Sequence, residues 1–417
     1  MSNPNQPRLK LQHGTGSYPA MLREIFGRGR SATADRAKVE EELAAYLGTA
    51  HVVHTPMCRT GIYLALKHLI KPGQDVIMSP YTIADVINMV LAAGGKPVFA
   101  DVDRNHCNLA MASIEAAIGP NTGAVLVTHL HGIAADIEAI AALCKRHNVP
   151  LVEDAAQAFG AEVNGRKLGS FGDAGIFSFG MYKNINSWFG GAVCTDRSEL
   201  AIALAQELAH QPRQSAGMLL TRMVKGLLTD LVTSRLVFGL LTRQLFRIGL
   251  VHNVRLINRF IETELDSSRN DTLPPHYLHH SSGTQLALLS QQLHAIAPLN
   301  DERRAYATKY WKALHDAPGV TVPALSLGNV YSAFPIQVQD RHALLCRLLQ
   351  NGCDVAAQHL KNCADLDSFA EFESDCPNAR ACAASVILLP TWPGYGERQV
   401  QRNIDAILAY SRDLQNA

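Results

Sequence analysis

Short apolar segments alternate with amphipathic segments from about residue 35 to residue 200 of the chain. The short segments have the length and composition of buried strands. They lie at Asp75–Met78, Pro97–Ala100, Ala124–Thr128, Pro150–Val152, Ala174–Phe179 and Gly191–Thr195. The helical patterns lie at 38–47, 60–69, 84–93, 111–118 and 134–147. This alternation predicts an α/β fold, in which a mostly parallel sheet is covered by helices on both faces.

Polar side chains follow several of these strands. They are Tyr81, Thr82, His129, His131, Asp154, Gln157 and Lys183. In parallel sheets the ligand lies beyond the carboxyl ends of the strands. We therefore expect these side chains, which come from separate strands, to converge on one site.

The pattern changes after residue 200. Residues 217–252 are rich in leucine, valine, methionine and phenylalanine, and they carry five basic residues but only one acid, Asp230. Leu236 and Leu240 interrupt the polar side of the helical pattern, which allows two helices. Such a segment can pack over the active-site entrance or at a dimer interface. It can also lie on an anionic membrane surface, or bind an acidic carrier domain.

The remaining pattern defines the expected domains. A helical stretch at 285–316 precedes a shorter α/β pattern with strands near Val330–Val338 and Ser385–Leu389. We expect three parts, which are an N-terminal arm at 1–34, a large domain at 35–300 with its insert at about 217–260, and a small C-terminal domain at 301–417.

Composition narrows the class of protein. The 417 residues are 47% hydrophobic and 18% charged, and the formal net charge of +1 gives no basic surplus for nucleic acid. Nine cysteines are scattered without CxxC spacing, and no HExxH motif occurs, so we expect reduced thiols and no metal site. The N-terminus lacks an apolar signal region, and no apolar stretch is long enough to span a bilayer. A cytoplasmic protein is expected.

Asp154, Ser178 and Lys183 form a chemically coherent set at adjacent strand ends. Pyridoxal phosphate requires a lysine for its Schiff base, a carboxylate for its ring nitrogen and donors for its phosphate. Each residue also has an ordinary interpretation when it is taken alone. Asp154 could cap a helix, Lys183 could lie on the surface, and Ser178 could be a small core residue.

The stretch from Val152 to Gly191, VEDAAQAFGAEVNGRKLGSFGDAGIFSFGMYKNINSWFGG, contains EDAAQ, GSFGD and FSF followed by KN, in that order. It resembles the core signature of the DegT/DnrJ/EryC1/StrS family, with support from SPYT at 79–82 and GKPVFADVD at 95–103. The resemblance implies a fold type I, pyridoxal-phosphate-dependent aminotransferase with a seven-stranded large domain, a smaller C-terminal α/β domain and a homodimeric assembly. Such enzymes are best known for aminating nucleotide-linked keto-sugars.

The resemblance also implies residue roles. Lys183 would form the Schiff base and then transfer protons. Asp154 would pair with the pyridine nitrogen, Gln157 would lie against the phenolic oxygen, and Ser178 would contact the phosphate. A dehydratase branch of the family has histidine in place of the lysine, so Lys183 favours transamination.

Several positions depart from the family pattern around the cofactor. Met57-Cys58-Arg59 replaces the usual Ser-Gly-Thr phosphate turn. Arg59 could contact the phosphate in its place, with Thr60 capping the following helix. Ile83 occupies the position of the aromatic residue that usually stacks on the pyridine ring.

Other departures lie near the expected substrate. Trp188-Phe189 replaces a Gly-Glu pair, and Leu278-His279-His280 replaces the Asn-x-Arg that reaches the neighbouring subunit. The candidate substrate contacts are Tyr81, His131, Trp188, Phe189 and His359.

Three functions follow from these observations. The first is amino transfer from a donor such as L-glutamate to a nucleotide-linked keto-sugar. The second is the same chemistry on an apolar, lipid-linked or carrier-bound ketone or aldehyde, as the aromatic and apolar substitutions suggest. The third is a non-catalytic relative that binds pyridoxal phosphate for regulation.

Overall fold

The computed structural model describes residues 6–14, 16–29, 32–251 and 268–416. The end of the expected insert, 252–260, lies outside the described residues. A seven-stranded sheet forms the centre of the large domain, in the order β1-β10-β9-β6-β5-β2-β4. Its strands are β1 (His51–Thr55), β2 (Asp75–Met78), β4 (Lys96–Phe99), β5 (Thr122–Thr128), β6 (Leu151–Asp154), β9 (Ala174–Ser178) and β10 (Gly191–Thr195). All are parallel except β10, which runs against both of its neighbours, and this confirms the predicted fold class.

Helices cover both faces of the sheet. Those of the first 314 residues are α1 (Ser17–Ile25), α2 (Ala32–Leu47), α3 (Cys58–Leu69), α4 (Ala84–Ala92), α5 (Met111–Ala117), α6 (Ile137–His147), α7 (Ser198–Ala209), α8 (Ala216–Thr233), α9 (Arg235–Val237), α10 (Arg243–Val251) and α11 (Gly283–Leu314). Helices α3, α4 and α7 pack against one face, while α2, α6 and α11 pack against the other. Two apolar layers therefore fix the strands from both sides.

Short elements complete the large domain. They are β3 (Tyr81–Thr82), the hairpin of β7 (Glu162–Val163) and β8 (Arg166–Lys167), the 3₁₀ turns Leu130–Gly132 and Pro275–Tyr277, and a π-helical turn at Phe238–Thr242.

The C-terminal part has its own sheet and core. Its elements are β11 (Val320–Thr321), β12 (Phe334–Val338), α12 (Arg341–Gln350), β13 (Ala356–Ala357), β14 (Lys361–Asn362), the 3₁₀ turns Cys363–Asp365 and Asp367–Phe372, α13 (Pro377–Ser385), β15 (Val386–Leu389) and α14 (Glu397–Asn416). The sheet order is β11-β12-β15-β13. Strand β14 instead pairs with β3 of the large domain, and so brings this part of the chain to the edge of the crevice. The 32-residue helix α11 passes through residue 300, and the division there stays a prediction.

Helix α8 has its polar and apolar sides reversed relative to an ordinary surface helix. The Arg222 side chain is buried, and the Asp230 carboxylate points inward to accept hydrogen bonds from His13 Nε2 (2.6 Å) and the Tyr18 hydroxyl (2.5 Å). The outward side is apolar and consists of Leu220, Val224, Leu227, Leu228, Leu231 and Val232. Helix α8 ends at Thr233, and α9, the π-helical turn and α10 then follow without a gap from Arg235 to Val251. The segment therefore contains two helical stretches, as predicted.

Trp188 and Gly226 form one of the contacts that join α8 to the rest of the protein. The indole of Trp188 is buried, and a Cβ atom on Gly226 would lie 2.3 Å from its ring. The insert is also closed at its base. Arg213 and His280 form a β-bridge, and the His280 amide donates to the Pro212 carbonyl over 2.7 Å.

We predict that Gly226→Ala weakens the contact between α8 and Trp188. The added methyl group would clash with the buried indole ring of Trp188. Overpacking of this kind lowers the free energy of unfolding by about 1–3 kcal/mol. The measurement is the free energy of unfolding in denaturant, followed by tryptophan fluorescence.

Gly217→Ala is the matched control in the same helix. Its Cβ would approach only Ser215 Oγ, at 3.9 Å, which is an ordinary van der Waals contact. Alanine favours helix over glycine by up to about 1 kcal/mol, so this variant should be neutral or more stable. Equal effects from the two substitutions would contradict the packing described here.

Candidate active site

Lys183 lies in a loop that follows β9 and is closed by backbone hydrogen bonds. The Phe179 amide donates to the Gly190 carbonyl (2.9 Å), and the Ser187 amide donates to the Phe179 carbonyl (3.0 Å). The Lys183 amide itself donates to the Gly180 carbonyl (3.0 Å). These bonds hold the lysine at the carboxyl end of β9, at the edge of the sheet where the ligand is expected.

The Lys183 side chain is half-buried, the Asp154 carboxylate is buried, and each group influences the pKa of the other. Burial lowers the pKa of Lys183, and the nearby Arg59 charge lowers it further, against the opposing influence of Cys58 and Asp154. Burial likewise raises the pKa of Asp154, while Lys183 opposes that rise. A lysine whose charged form is disfavoured is a better nucleophile and base than a lysine in water.

Glu153, the other acid of the EDAAQ stretch, is fully buried and was not singled out from the sequence. Its carboxylate accepts hydrogen bonds from the Gly169 (2.9 Å), Phe171 (2.6 Å) and Gly172 (2.7 Å) amides. It also accepts from His129 Nε2 (3.1 Å). The Ala135 amide donates to His129 Nδ1, so Nε2 carries the proton. The adjacent acidic pair was the available signal, because a buried carboxylate requires several donors.

The first turn of α3 has no side-chain cap and lies close to Gly191. The N-cap residue Met57 makes no side-chain hydrogen bond to the amides of this turn. Gly191 packs so closely against the start of the helix that a Cβ atom at this position would lie 2.5 Å from the Cys58 nitrogen. Cys58 Sγ lies 3.9 Å from Asp154 Oδ1 and donates to it. Thus the residue that replaces the family's glycine contacts the Asp154 carboxylate, a contact that the sequence did not predict.

The prediction that Thr60 caps α3 is wrong. Thr60 lies within the first turn of the helix, where its hydroxyl donates to the Tyr277 carbonyl (2.8 Å). The side chain is directed at the buried 3₁₀ turn rather than at the start of the helix. Ser178, by contrast, is half-buried at the end of β9, with its hydroxyl 3.5 Å from the Gly180 amide nitrogen.

Arg59 is engaged with two neighbouring side chains. Its Nη1 lies 2.9 Å from Asp85 Oδ2 and 3.1 Å from the Tyr277 hydroxyl. The Asp85 carboxylate is the main influence that raises the pKa of Arg59, against the opposing effect of burial. The guanidinium therefore acts on Lys183 as a fixed charge, and its contact with a phosphate stays a prediction.

His131, Gln157 and His359 lie together on the other side of the crevice. The His131 amide donates to Gln157 Oε1 (2.9 Å), and His131 Nε2 is buried without a hydrogen-bond partner among the described residues. Burial lowers the pKa of His131 to about 3 and that of His359 to about 4, and Lys183 lowers the latter further. Both imidazoles are therefore neutral near pH 7 and can donate or accept hydrogen bonds without charge.

Three of the predicted substrate contacts occupy different surroundings. The Tyr81 side chain is fully buried, with Cys107, Cys382 and Arg341 as its charged or titratable neighbours. Trp188 is buried beneath α8, and the substrate roles of both residues stay predictions. The Phe189 ring is half-buried and lies 3.7 Å from the Arg222 guanidinium.

Ile83 lies at the start of α4, half-buried, and its predicted place against the pyridine ring stays a prediction. No group of three or more His, Cys, Asp or Glu residues within the described ranges is arranged to hold a metal ion.

We predict that Glu153→Gln destabilises the site from within. The substitution replaces a charged acceptor of backbone hydrogen bonds with a neutral amide. The nitrogen of that amide is itself a donor and would face the backbone donors. A loss of about 1.5–3 kcal/mol in the free energy of unfolding is expected. Glu115→Gln, at an exposed position 3.6 Å from Arg146, is the control and should change stability by less than about 1 kcal/mol. Equal losses in the two variants would refute the role given to Glu153.

We predict a second effect from the burial of Lys183, in protein freed of cofactor. The pKa of this amine is lowered from 10.5 on folding, so the folded state releases its proton at a lower pH than the unfolded state. Burial of the charged amine therefore lowers the free energy of unfolding by its full amount below the pKa of the folded state. This loss of stability disappears as pH rises to 10.5, because the amine is then neutral in both states. Between pH 7 and that value, the wild type should gain stability relative to Lys183→Met in denaturant unfolding. Lys145→Met, which removes an exposed cation, is the control, and the same pH trend there would contradict the assignment.

The comparison with known proteins agrees with this geometry. The sequence profile of the DegT/DnrJ/EryC1/StrS aminotransferase family matches residues 21–221 and 282–408. The chain is 31% identical over 369 residues to the UDP-N-acetyl-3-dehydro-alpha-D-glucosamine 3-aminotransferase of Acidithiobacillus ferrooxidans, with 87% of this chain and 85% of the relative covered. It is 27% identical over 382 residues to the spore coat polysaccharide biosynthesis protein SpsC of Bacillus subtilis, with 88% and 87% covered.

A solved structure resembles the whole fold. The aminotransferase TlmJ from Streptoalloteichus hindustanus matches with a TM-score of 0.73 and 26% identity, and the alignment covers 100% of both chains. The chain therefore belongs to the DegT/DnrJ/EryC1/StrS aminotransferase family and is a pyridoxal-phosphate-dependent aminotransferase.

Proposed function

We propose that this enzyme transfers an amino group from L-glutamate to the keto group of a nucleotide-linked sugar. The observation that carries the proposal is the half-buried Lys183 side chain, whose pKa is lowered and which interacts with the Asp154 carboxylate, at the edge of the sheet where the neutral His131 and His359 also lie. The 31% identical relative is named for a UDP-linked 3-keto sugar, which supports a UDP-linked keto-hexose as the acceptor.

The residues present fit pyridoxal phosphate. Asp154 Oδ1 accepts from the Ala156 amide (3.0 Å), and Oδ2 has no hydrogen bond among the described residues. Oδ2 is therefore available to a ring nitrogen that carries a proton. The first amides of α3 and the Ser178 hydroxyl would hold the phosphate. When bound, pyridoxal phosphate acts as an electron sink for the carbon that loses its proton.

Lys183 would hold and move that proton at its Nζ atom. Because burial and the Arg59 charge disfavour the ammonium form, Nζ can accept a proton from a substrate carbon and return it to another atom. Asp154 would keep its negative charge while paired with a cation, since that pairing offsets the rise in its pKa caused by burial.

Two histidines support a polar acceptor. His131 Nε2 is a buried polar atom without a partner in the described chain, and His359 is close enough to Lys183 for its pKa to be affected. An unpaired buried polar group favours a ligand that supplies the missing hydrogen bond, and sugar hydroxyls do so. We therefore propose His131 and His359, with Gln157 against the cofactor, as the polar wall of the substrate site.

The apolar outer side of the insert favours a second candidate acceptor, a lipid-linked ketone or aldehyde. We also propose a homodimer located in the cytoplasm and in peripheral contact with a membrane through α8–α10. Support for that contact is the reversed polarity of α8, and no helix in the described ranges is long and apolar enough to cross a bilayer. His279 and His280 contact Arg222 and Arg36 of their own chain, so a neighbouring subunit's site would be completed by different groups.

We predict that L-glutamate shifts the visible absorbance of the pyridoxal-phosphate-loaded enzyme to shorter wavelength. A UDP-linked keto-sugar added afterwards should restore the original spectrum. Lys183→Ala should lower the rate of the glutamate-dependent change by at least about 10²–10⁴-fold, because proton transfer through Nζ is lost. The measurement is stopped-flow absorbance, with Lys145→Ala as the control for loss of one cation.

The outcomes separate the candidate functions. Restoration by an apolar or lipid-linked ketone but not by the keto-sugar would replace the first acceptor with the second. A bound-cofactor spectrum that responds to no amino donor would overturn both and leave the regulatory, non-catalytic relative.

A further inference from the structure

A basic cavity of about 450 Å³ lies where the insert meets the C-terminal part of the chain. Three helices line it with one arginine each, namely Arg243 from α10, Arg347 from α12 and Arg402 from α14. Asp405 is the single acidic residue in the lining. None of these side chains belongs to the active site, so the cavity requires a separate explanation.

Arg243 shows that the cavity has spare hydrogen-bonding capacity. Its Nε atom is buried and has no hydrogen-bond partner among the described residues. Arg347 is partly neutralised by Asp413, whose Oδ2 lies 2.5 Å from its Nη1. Leaving a buried donor unpaired is unfavourable, especially for a charged group, and an anion would remove this penalty.

Phosphate is the anion that this lining suits best. Guanidinium groups present planar pairs of N–H donors that match phosphate oxygens, and three such groups surround one space. Arg347 and Arg402 come from the C-terminal part, whereas Arg243 comes from the insert. The complete set therefore exists only because α10 packs beside α12.

The cavity borders the apolar surface of the insert. Leu240 lies one turn before Arg243 on the same side of the helical segment, and it is 74% exposed. Leu241, Leu245 and Ile248 are also exposed, and the outward side of α8 extends the same surface. Apolar surface of this extent on a folded protein marks a contact with a membrane or with another protein.

Charge complementarity identifies the occupant. Within 216–251 the one acid, Asp230, points inward to His13 and Tyr18, whereas the basic side chains of Lys225 and Arg235 are exposed. The outward surface thus combines apolar side chains with exposed cations, which is the combination that binds an anionic bilayer. An aqueous phosphate compound would gain nothing from the leucine surface beside the cavity.

We propose that the cavity of Arg243, Arg347 and Arg402 binds the phosphate of an anionic phospholipid headgroup, while the apolar surface of α8–α10 contacts the acyl region. This inference rests on the peripheral membrane contact proposed above and names the lipid group that would be recognised. It does not depend on the identity of the amino acceptor.

The test is co-sedimentation of the full-length, cofactor-loaded enzyme with vesicles. Wild type should bind phosphatidylcholine vesicles containing phosphatidylglycerol more tightly than vesicles of phosphatidylcholine alone. Arg243→Gln should weaken binding to the anionic vesicles by roughly 10–100-fold, because it removes hydrogen bonds between charged groups. Lys225→Gln removes an exposed cation of the same insert outside the cavity, and should weaken binding by about fivefold or less.

Further variants and a soluble probe keep the alternatives apart. Leu240→Gln combined with Leu245→Gln should weaken binding to both kinds of vesicle, because the apolar contact is reduced. All variants should retain the glutamate-dependent spectral change, which shows that they are folded. Millimolar inorganic phosphate should raise the melting temperature of the wild type by no more than it raises that of Arg243→Gln.

Each other result overturns a defined part of the inference. Equal losses for Arg243→Gln and Lys225→Gln would mean that surface charge alone attracts the membrane, so the cavity assignment would be wrong. A second result would be that the wild type does not bind vesicles but is stabilised by phosphate, and that this stabilisation requires Arg243. The cavity would then be assigned to a soluble phosphate compound. Absence of both effects would overturn the membrane contact and the cavity together, leaving the transamination result unaffected.

Discussion

One buried carboxylate, that of Glu153, sets the geometry on which the active site depends. It accepts three backbone hydrogen bonds from the turn at 169–172 and a fourth from His129. Adjacent strand residues point to opposite sides, so the fixing of Glu153 on one side directs Asp154 to the other. The same turn leads into β9, which delivers Ser178 and Lys183. A single charge therefore fixes the relative positions of the cofactor's expected carboxylate and lysine.

The insert and the loop that carries Lys183 form one structural unit. Trp188 is buried against Gly226, and the Arg222 guanidinium lies over the Phe189 ring. The two aromatic residues thus pack against helix α8 of the insert. Burial lowers the pKa of Arg222 to about 10, since no acidic side chain among the described residues pairs with it. An aromatic face partly offsets that loss of hydration.

Much of the fold could be predicted from the sequence because its signals are local. Strand β2 and strand β10 were predicted with their observed bounds, and the strand-end positions of Asp154 and Lys183 followed from the alternating pattern. Strand β1 was missed, because its histidines and threonine weaken the apolar signal over five residues.

What could not be predicted depends on the directions of side chains in three dimensions. Tyr81 and Trp188 lie at strand and loop ends, yet their rings turn into the interior, where packing with distant segments decides their place. Thr60 has the residue type of a cap but bonds to the Tyr277 carbonyl, which is 217 residues away. The thiol of Cys58 reaches Asp154 only because β6 and α3 meet in the folded chain.

The bridge between Arg213 and His280 has a consequence for the history of the protein. The chain leaves the family core at Arg213 and returns to it at His280, and these two residues are adjacent in the structure. The insert therefore begins and ends at one place on the core, as an excursion from it. Exchange at such a neck leaves the connectivity of the sheet unchanged. A property carried by the excursion can therefore be acquired or lost in evolution as one genetic event, provided that the side chains of the Lys183 loop that contact it, Trp188 and Phe189, change with it.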